Sequence, residues 1–218
     1  ADRDRDVSVI VIRGAGPAFC AGYELGAPNT DVERAIAKQD GWWSRHVVNN
    51  WFEMWDMPTP IIGQVHGYCL AGGSELAAAC DLVYVADDAK IGYPPLRLIS
   101  PPDMQWQTWL MGLRRCMEAL LTGDAMSGTE AVAAGMANRA HPADELDDAV
   151  LAVAERVAKI PIELLALNTR AAHRAMEAQG IRTGLRATAE IQALGFHQPP
   201  SIEYHQSFAK VGVSKALS

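Results

Sequence analysis

The apolar residues of the N-terminal half occur in short unbroken runs that glycine-rich turns separate. The runs Val7 to Ile12, Ile61 to Val65 and Leu82 to Ala86 are rich in β-branched residues, the pattern of strands buried on both faces of a sheet. Between them lie two helical patterns, a long one from Thr30 or Asp31 to about Trp55 and a short one from Ser74 to Cys80. Strand and helix therefore alternate, which predicts an α/β core.

The residues after Gly92 predict a mainly helical region. Two proline pairs, Pro94-Pro95 and Pro101-Pro102, bracket a loop, and several helical patterns follow it. These patterns cover about residues 104–111, 114–121, 128–135, 144–159, 162–179 and 182–195. We therefore divide the chain into a core over residues 1–140 and a helical region over residues 141–218. The stretch from Pro199 to Ser218 is short and polar, and we expect it to fold only against a neighbouring subunit.

Composition and charge narrow the class of protein. Of 218 residues, 49% are hydrophobic and 21% charged, which is typical of a folded globular chain. The net charge of −7 argues against nucleic-acid binding, so an anionic ligand must be met by local basic groups or backbone dipoles. No apolar run approaches membrane-spanning length, and the start, ADRDRD, is not a secretion signal. The cysteines form no CxxC pair, so we expect reduced thiols in a cytoplasmic protein.

Two turns of small residues are the candidate site. Residues 19–25 come after the first strand, and residues 67–75 lead into the short helix and include its first two residues. At the start of that helix, Gly72 carries an N–H group with no intrahelical acceptor. Together with an N–H from the first turn, it could hold a negative charge that develops on an oxygen. Donors of this kind lower a reaction barrier by about 3–4 kcal/mol each.

Other kinds of site fit less well. The chain has neither a GxGxxG nor a GxxxxGK[ST] sequence, which argues against nucleotide binding at these turns. Its histidines are scattered without HExxH spacing, so we expect no metal site. A His66–Ser74 pair would suggest a serine hydrolase, but no GxSxG elbow is present. Strand–turn–helix units also occur in α/β proteins that bind nothing at the turn.

Taken together, the two turns resemble segments of the enoyl-CoA hydratase/isomerase (crotonase) family. Residues 19–25, FCAGYEL, are similar to the F-[SAC]-A-G-x-[DE]-L segment of that family. Residues 66–96, HGYCLAGGSELAAACDLVYVADDAKIGYPPL, resemble its second segment over the whole length. Residues 121–146, LTGDAMSGTEAVAAGMANRAHPADEL, are similar to a later region of helix and strand. The resemblance extends from Val7 to about Ala175.

The resemblance implies a ClpP/crotonase-like spiral of ββα units with C-terminal helices that build trimers, often paired into hexamers. Relatives usually begin with further strands and a helix before the equivalent of Val7, and we expect these to be absent from this chain. Members of the family bind acyl-CoA thioesters and stabilise an enolate. Coenzyme A enters as part of the substrate, so the resemblance implies no separate cofactor.

The resemblance also implies roles for individual residues. Ala21 and Gly72 would supply the N–H groups of an oxyanion hole. Glu75 lies where hydratases of the family keep a catalytic glutamate, which activates water or transfers a proton. The alternative is a glutamate that only stabilises the helix dipole. The expected substrate-binding residues are Gly22, Tyr23, Glu24, Leu25, Tyr68, Gly73 and Pro95.

A second carboxylate is harder to place. The second family glutamate should follow Ile-Gly-x-Pro, but Pro95 occupies that position, and proline cannot transfer a proton. Asp103 lies at the position of a catalytic aspartate in dienoyl-CoA isomerases and 4-chlorobenzoyl-CoA dehalogenase. Its apolar neighbours Met104 and Trp106 predict a raised pKa. Alternatively, Asp103 caps a helix that begins near Met104.

These features together predict a lyase of fatty acid metabolism that adds water to an enoyl-CoA thioester. A double-bond isomerase or another CoA-enolate enzyme is the close alternative. An inert acyl-CoA-binding homologue is the alternative from another class of protein, and the proline at position 95 favours it.

Overall fold

A computed structural model describes residues 1–23, 47–97 and 99–211 of the chain. We number its strands and helices in chain order. They are β1 (Ile10–Arg13), α1 (Asn49–Trp55), β2 (Ile61–Val65), β3 (Tyr68–Leu70), α2 (Gly72–Ala78), β4 (Leu82–Ala86), β5 (Lys90–Gly92), a 3₁₀ turn (Pro94–Arg97), α3 (Gln107–Leu110), α4 (Leu113–Thr122), β6 (Met126–Ser127), α5 (Gly128–Ala134), β7 (Arg139–His141), α6 (Leu146–Ala158), α7 (Ile162–Ala178), α8 (Ile181–Gly195) and α9 (Pro199–Val211).

A parallel sheet in the order β1-β2-β4-β7 forms the centre of the described part. Ile10 lies opposite Ile61, and Ile62 lies opposite Leu82. Every residue of β2 is buried, because strands flank it on both sides and helix α6 packs against it. This environment explains the β-branched run in the sequence.

A second, smaller sheet joins strands in the order β3-β5-β6. Strand β3 lies inside the second turn of small residues, residues 67–75. The sequence predicts no strand there, so that prediction was wrong. Three residues are too few to show the alternation that identifies a strand. The chain passes from β2 to β3 to α2, and then from β4 to β5 to further helices. This repeat is the ββα spiral that the family resemblance implies.

The C-terminal helices follow their predicted ranges closely, although α3 is only four residues long. The N-terminal part of the long helix predicted up to Trp55 lies outside the described residues, and α1 is its described end. Residues 199–211 form α9 within the single chain, with Ser201 and Tyr204 buried. The expectation that this stretch folds only against a neighbour was therefore wrong for residues 199–211, and residues 212–218 lie outside the described residues. Pro199 and Pro200 fit the first turn of α9, because N–H groups in the first turn of a helix have no intrahelical acceptor.

The division at residues 140 and 141 stays a prediction, although the last described strand ends at His141. None of the described helices is both long enough and apolar enough to cross a membrane.

Candidate active site

Backbone hydrogen bonds hold the two glycine turns side by side. Cys20 and Cys69 form a parallel β-bridge between the turns. The Cys20 N–H donates to the Tyr68 carbonyl at 3.0 Å, and the Leu70 N–H donates to the Cys20 carbonyl at 2.9 Å. The position of Ala21, the next residue, relative to the start of α2 is therefore fixed by the main chain.

Small residues are required where the turns meet. A Cβ atom on Gly73 would lie 2.1 Å from the Cys20 carbonyl oxygen, which no side chain can occupy. Gly22 has a φ of +107°, and a Cβ there would lie 2.8 Å from the Ala71 Cβ and 3.4 Å from the Gly72 nitrogen. The first turn therefore packs directly on the N-terminus of α2, as the resemblance predicts.

Ala71 adopts a backbone conformation that usually requires glycine. Its φ of 52° and ψ of −127° match the first central residue of a type II′ turn. The Ala71 N–H donates to the Gly92 carbonyl at 2.9 Å, and the Ala71 carbonyl accepts from the Ser74 hydroxyl at 2.7 Å. Within the described residues, the N–H groups of Ala21 and Gly72 meet no backbone or side-chain acceptor. Both therefore remain available to a ligand oxygen.

The structure brings Glu75 and Asp103 together beside these turns. Glu75 lies on α2 and Asp103 lies in the loop before α3, and both are completely buried. Glu75 Oε2 and Asp103 Oδ1 are both buried, and neither oxygen accepts from a donor among the described residues. The Met104 N–H donates to Glu75 Oε1 at 3.2 Å. Helix α3 begins only at Gln107, after Trp106, so Asp103 is not its cap.

The buried pair has perturbed acidity. Burial raises the pKa of Glu75 well above its usual value, and the neighbouring charge of Asp103 raises it further. Burial also raises the pKa of Asp103, as its apolar neighbours predict, while its interaction with Glu75 opposes that rise. Two interacting buried acids titrate as a pair, and the raised pKa of both groups favours retention of a proton by the pair.

Two tyrosines border the pair. The Tyr23 hydroxyl donates to Asp103 Oδ2 at 3.5 Å. Tyr93, which follows β5, is buried, and burial together with the charges of Glu75 and Asp103 raises its pKa. Sequence reasoning missed Tyr93; its position directly after the Ile91-Gly92 pair was the available signal.

Helix α8 fixes the loop that carries Asp103. The Thr188 hydroxyl oxygen lies 3.0 Å from the Asp103 carbonyl oxygen and 2.7 Å from the Leu185 carbonyl oxygen, so these two acceptors share its single proton. The Gln105 N–H donates to the same hydroxyl oxygen at 3.4 Å. Sequence reasoning also missed Thr188. The only signal was a threonine between Leu185 and Ala189, which face the core.

Of the remaining predicted substrate-binding residues, the structure describes Tyr68 and Pro95. Tyr68 is 56% exposed on β3. Pro95 lies in the 3₁₀ turn, where its carbonyl accepts from the Ile99 N–H at 2.7 Å and the Ser100 N–H at 3.2 Å. Glu24 and Leu25 lie outside the described residues.

The serine hydrolase alternative fails on geometry. The Ser74 hydroxyl donates to the Ala71 carbonyl at 2.7 Å, and His66 Nε2 lies 2.8 Å from the Gly16 carbonyl oxygen. The two side chains therefore hydrogen-bond to separate partners rather than to each other. Among the described residues, no group of three or more histidine, cysteine, aspartate or glutamate side chains is arranged to hold a metal ion.

Comparison with known proteins identifies the family. Residues 1–210 match the family model described as enoyl-CoA hydratase/isomerase. A probable enoyl-CoA hydratase of Mycobacterium bovis is 33% identical over 179 residues, which cover 81% of this chain and 67% of that relative. A probable enoyl-CoA hydratase of Rhizobium meliloti is 32% identical over 189 residues, with 83% and 70% covered.

Solved structures agree. The crystal structure of an enoyl-CoA hydratase from Mycobacterium smegmatis superimposes with a TM-score of 0.92 at 29% identity, covering 99% of this chain and 78% of that one. An enoyl-CoA hydratase/isomerase from Xanthobacter autotrophicus gives 0.88 at 31% identity, with 99% and 81% covered. The predicted α/β crotonase fold is thereby confirmed. The chain belongs to the enoyl-CoA hydratase/isomerase family.

Proposed function

We propose that this chain is an enoyl-CoA hydratase, a lyase that adds water across the double bond of a 2-enoyl-CoA thioester. The observation that carries the proposal is the buried Glu75–Asp103 pair beside the N–H groups of Ala21 and Gly72, which meet no backbone or side-chain acceptor within the described residues. Hydration needs one group that accepts a proton, one that donates a proton, and donors for the oxygen that becomes negative. Asp103, Glu75 and the two N–H groups are our candidates for these three roles.

In the proposed reaction, ionised Asp103 removes a proton from water while the hydroxide adds to C3 of the substrate. The electron pair of the double bond moves to the thioester oxygen, where Ala21 and Gly72 donate to the enolate. Protonated Glu75 then donates its proton to C2, which restores the thioester carbonyl. The pair gains one proton and loses one. Because the two carboxyl groups are neighbours, the gained proton can pass from Asp103 to Glu75 and reset the site.

The test is a spectrophotometric assay in which loss of enoyl absorbance is followed with crotonyl-CoA and longer enoyl-CoAs. We expect Glu75→Gln and Asp103→Asn each to lower kcat by about 10²- to 10⁴-fold, the usual contribution of a proton-transfer group. The matched controls are Glu53→Gln and Asp88→Asn, which alter exposed carboxylates in the same way. Wild-type activity in both site variants would overturn the assignment.

A double-bond isomerase is the second candidate, and the burial of the pair favours it. Both carboxyl groups are fully buried, which suits proton transfer between two carbons without water. A conjugated absorbance that appears from a 3-enoyl-CoA, without loss of signal from a 2-enoyl-CoA, would favour this reaction. Tight CoA binding without either change would favour an inert homologue, for which Pro95 is the sequence argument.

We further propose a cytoplasmic homotrimer or hexamer that needs no cofactor beyond the coenzyme A of its substrate. Exposed apolar residues on the C-terminal helices support association, because such side chains are usually covered in the assembled protein. They are Leu164, Leu167, Ile191 and Leu194. Light scattering after size exclusion should give three or six times the chain mass of 23.6 kDa. A mass of one chain would contradict the proposed assembly.

A further inference from the structure

Tyr23 contacts both halves of the site. A Cβ atom on Gly72 would lie 2.9 Å from Cε2 of the Tyr23 ring, so the ring packs against the glycine of the oxyanion turn. The Tyr23 hydroxyl donates to Asp103 Oδ2. Tyr23 as a whole is 47% exposed, whereas Asp103 is fully buried. The side chain therefore extends from the mouth of the site to the carboxyl pair.

The hydrogen bond favours one charge distribution in the pair. A hydroxyl that donates to a carboxylate stabilises its ionised form. Burial and the nearby charges of Asp103 and Glu75 raise the pKa of Tyr23, so its hydroxyl keeps its proton, and remains a donor, at any working pH.

Other titratable groups face the pair from different elements. Tyr93 lies in the segment after β5, and the charges of Glu75 and Asp103 contribute to its raised pKa. Glu75 comes from α2, and its Oε1 accepts from the Met104 N–H. From α8 the contact is the uncharged Thr188. Tyr23 is thus the tyrosine whose hydroxyl binds a carboxylate of the pair.

We propose that Tyr23 is a positioning residue that keeps the negative charge of the pair on Asp103 and the proton on Glu75. In this way it determines which carboxyl group accepts the proton of water and which donates to C2. The inference rests on the proposed hydratase function and adds to it the device that separates the two roles.

The test compares the pH dependence of kcat/KM in the wild type and in Tyr23→Phe, which keeps the ring and removes only the hydroxyl. Loss of the donor raises the pKa of Asp103, so the rising limb should move to higher pH by about one unit, the effect of one hydrogen bond to a charged group. The loss of kcat/KM should be about tenfold larger on the acidic side than on the plateau. Tyr84→Phe, a buried tyrosine of β4, is the matched control and should leave the profile in place.

Two results would overturn the inference. One is a Tyr23→Phe profile that superimposes on the wild type, and the other is an equal loss at every pH. If the wild type turns over no enoyl-CoA, the proposed function fails while the inference remains testable. The ¹³C NMR titration of the Asp103 carboxyl, assigned by its disappearance in Asp103→Asn, then decides. A higher midpoint in Tyr23→Phe supports the inference, and an unchanged midpoint rejects it.

Discussion

At the scale of single residues, the contact between Gly73 and Cys20 permits a direct test of the frame around the oxyanion hole. In Gly73→Ala the new Cβ would lie 2.1 Å from the Cys20 carbonyl oxygen, so the two turns must separate. We expect unfolding free energy to fall by about 2 kcal/mol or more and kcat/KM by about 100-fold. Denaturant unfolding and the enoyl-CoA assay measure the two effects.

The control for this substitution is Gly16→Ala, where a Cβ would have nothing within 4 Å. This control is also a glycine-to-alanine change, in the segment just before the first turn. Its unfolding free energy and its kcat/KM should both stay close to those of the wild type. Equal effects of the two substitutions would mean that the contact of the turns is unimportant.

The acidity of Glu75 has a consequence for stability. Because the folded pKa lies above the ordinary value of 4.5, the folded state holds a proton that the unfolded chain releases. Stability should therefore decrease as pH rises from about 4.5 towards the folded pKa. Glu75→Gln removes this proton uptake, so the variant should be more stable than the wild type at pH 8 by about 1–2 kcal/mol.

Denaturant unfolding at pH 5 and pH 8 measures this difference, which should shrink at the lower pH. A Glu75→Gln protein that is less stable than the wild type at pH 8 would contradict it. We therefore expect Glu75→Gln to be more stable than the wild type at pH 8 but nearly inactive.

Single residues also show how much of the candidate site the sequence predicts. Glu75 and Asp103 are 28 positions apart in sequence, and it was the family resemblance that indicated their shared site. The proline at position 95 focused attention on Asp103, and its apolar neighbours predicted its raised pKa correctly. Thr188 could not be predicted, because its contact with the Asp103 loop depends on tertiary packing of a distant helix.

At the scale of elements, α8 should affect catalysis through the Asp103 loop. Thr188→Val removes the hydroxyl that binds the Asp103 carbonyl and the Gln105 N–H. These two backbone groups, both in partly buried hydrogen bonds, then lose a partner, which should cost about 1–3 kcal/mol of stability. Since the loop positions a proton-transfer group, kcat should fall several-fold while KM changes less.

Thr183→Val is the control on the same helix, because Thr183 is exposed and its replacement has the same shape. It should preserve both stability and kcat. If Thr188→Val lowers stability but leaves kcat unchanged, α8 supports the fold without positioning the loop.

The sequence predicts the long helices and strands better than the short ones. The buried strands β2 and β4 and the long helices α6, α7 and α8 carry enough residues for their periodicity to identify them. Strands β3 and β6 have three and two residues and gave no signal. The prediction for α9 was wrong because its sequence is polar and gave no sign that Ser201 and Tyr204 are buried.

At the scale of the whole molecule, packing across residues 140 and 141 predicts one cooperative unit. Helix α6 packs against β2 and β4, and the buried side chains Ile181 and Leu185 of α8 belong to the same apolar core. Far-UV circular dichroism and tryptophan fluorescence should therefore give coincident unfolding curves. Two separated transitions would mean that the helical region is independent of the core.

The bridge between Cys20 and Cys69 also determines which amide protons exchange with solvent. The N–H groups of Cys20 and Leu70 are bonded across it, so their protons should exchange slowly in the free protein. The N–H groups of Ala21 and Gly72 lie close to this pairing but donate to no backbone or side-chain acceptor in the described chain. Their protons should therefore exchange faster. A bound thioester oxygen would slow these two while leaving their bonded neighbours unchanged. Deuterium uptake at residue resolution would thus map the enolate site in the native protein, before any substitution is made.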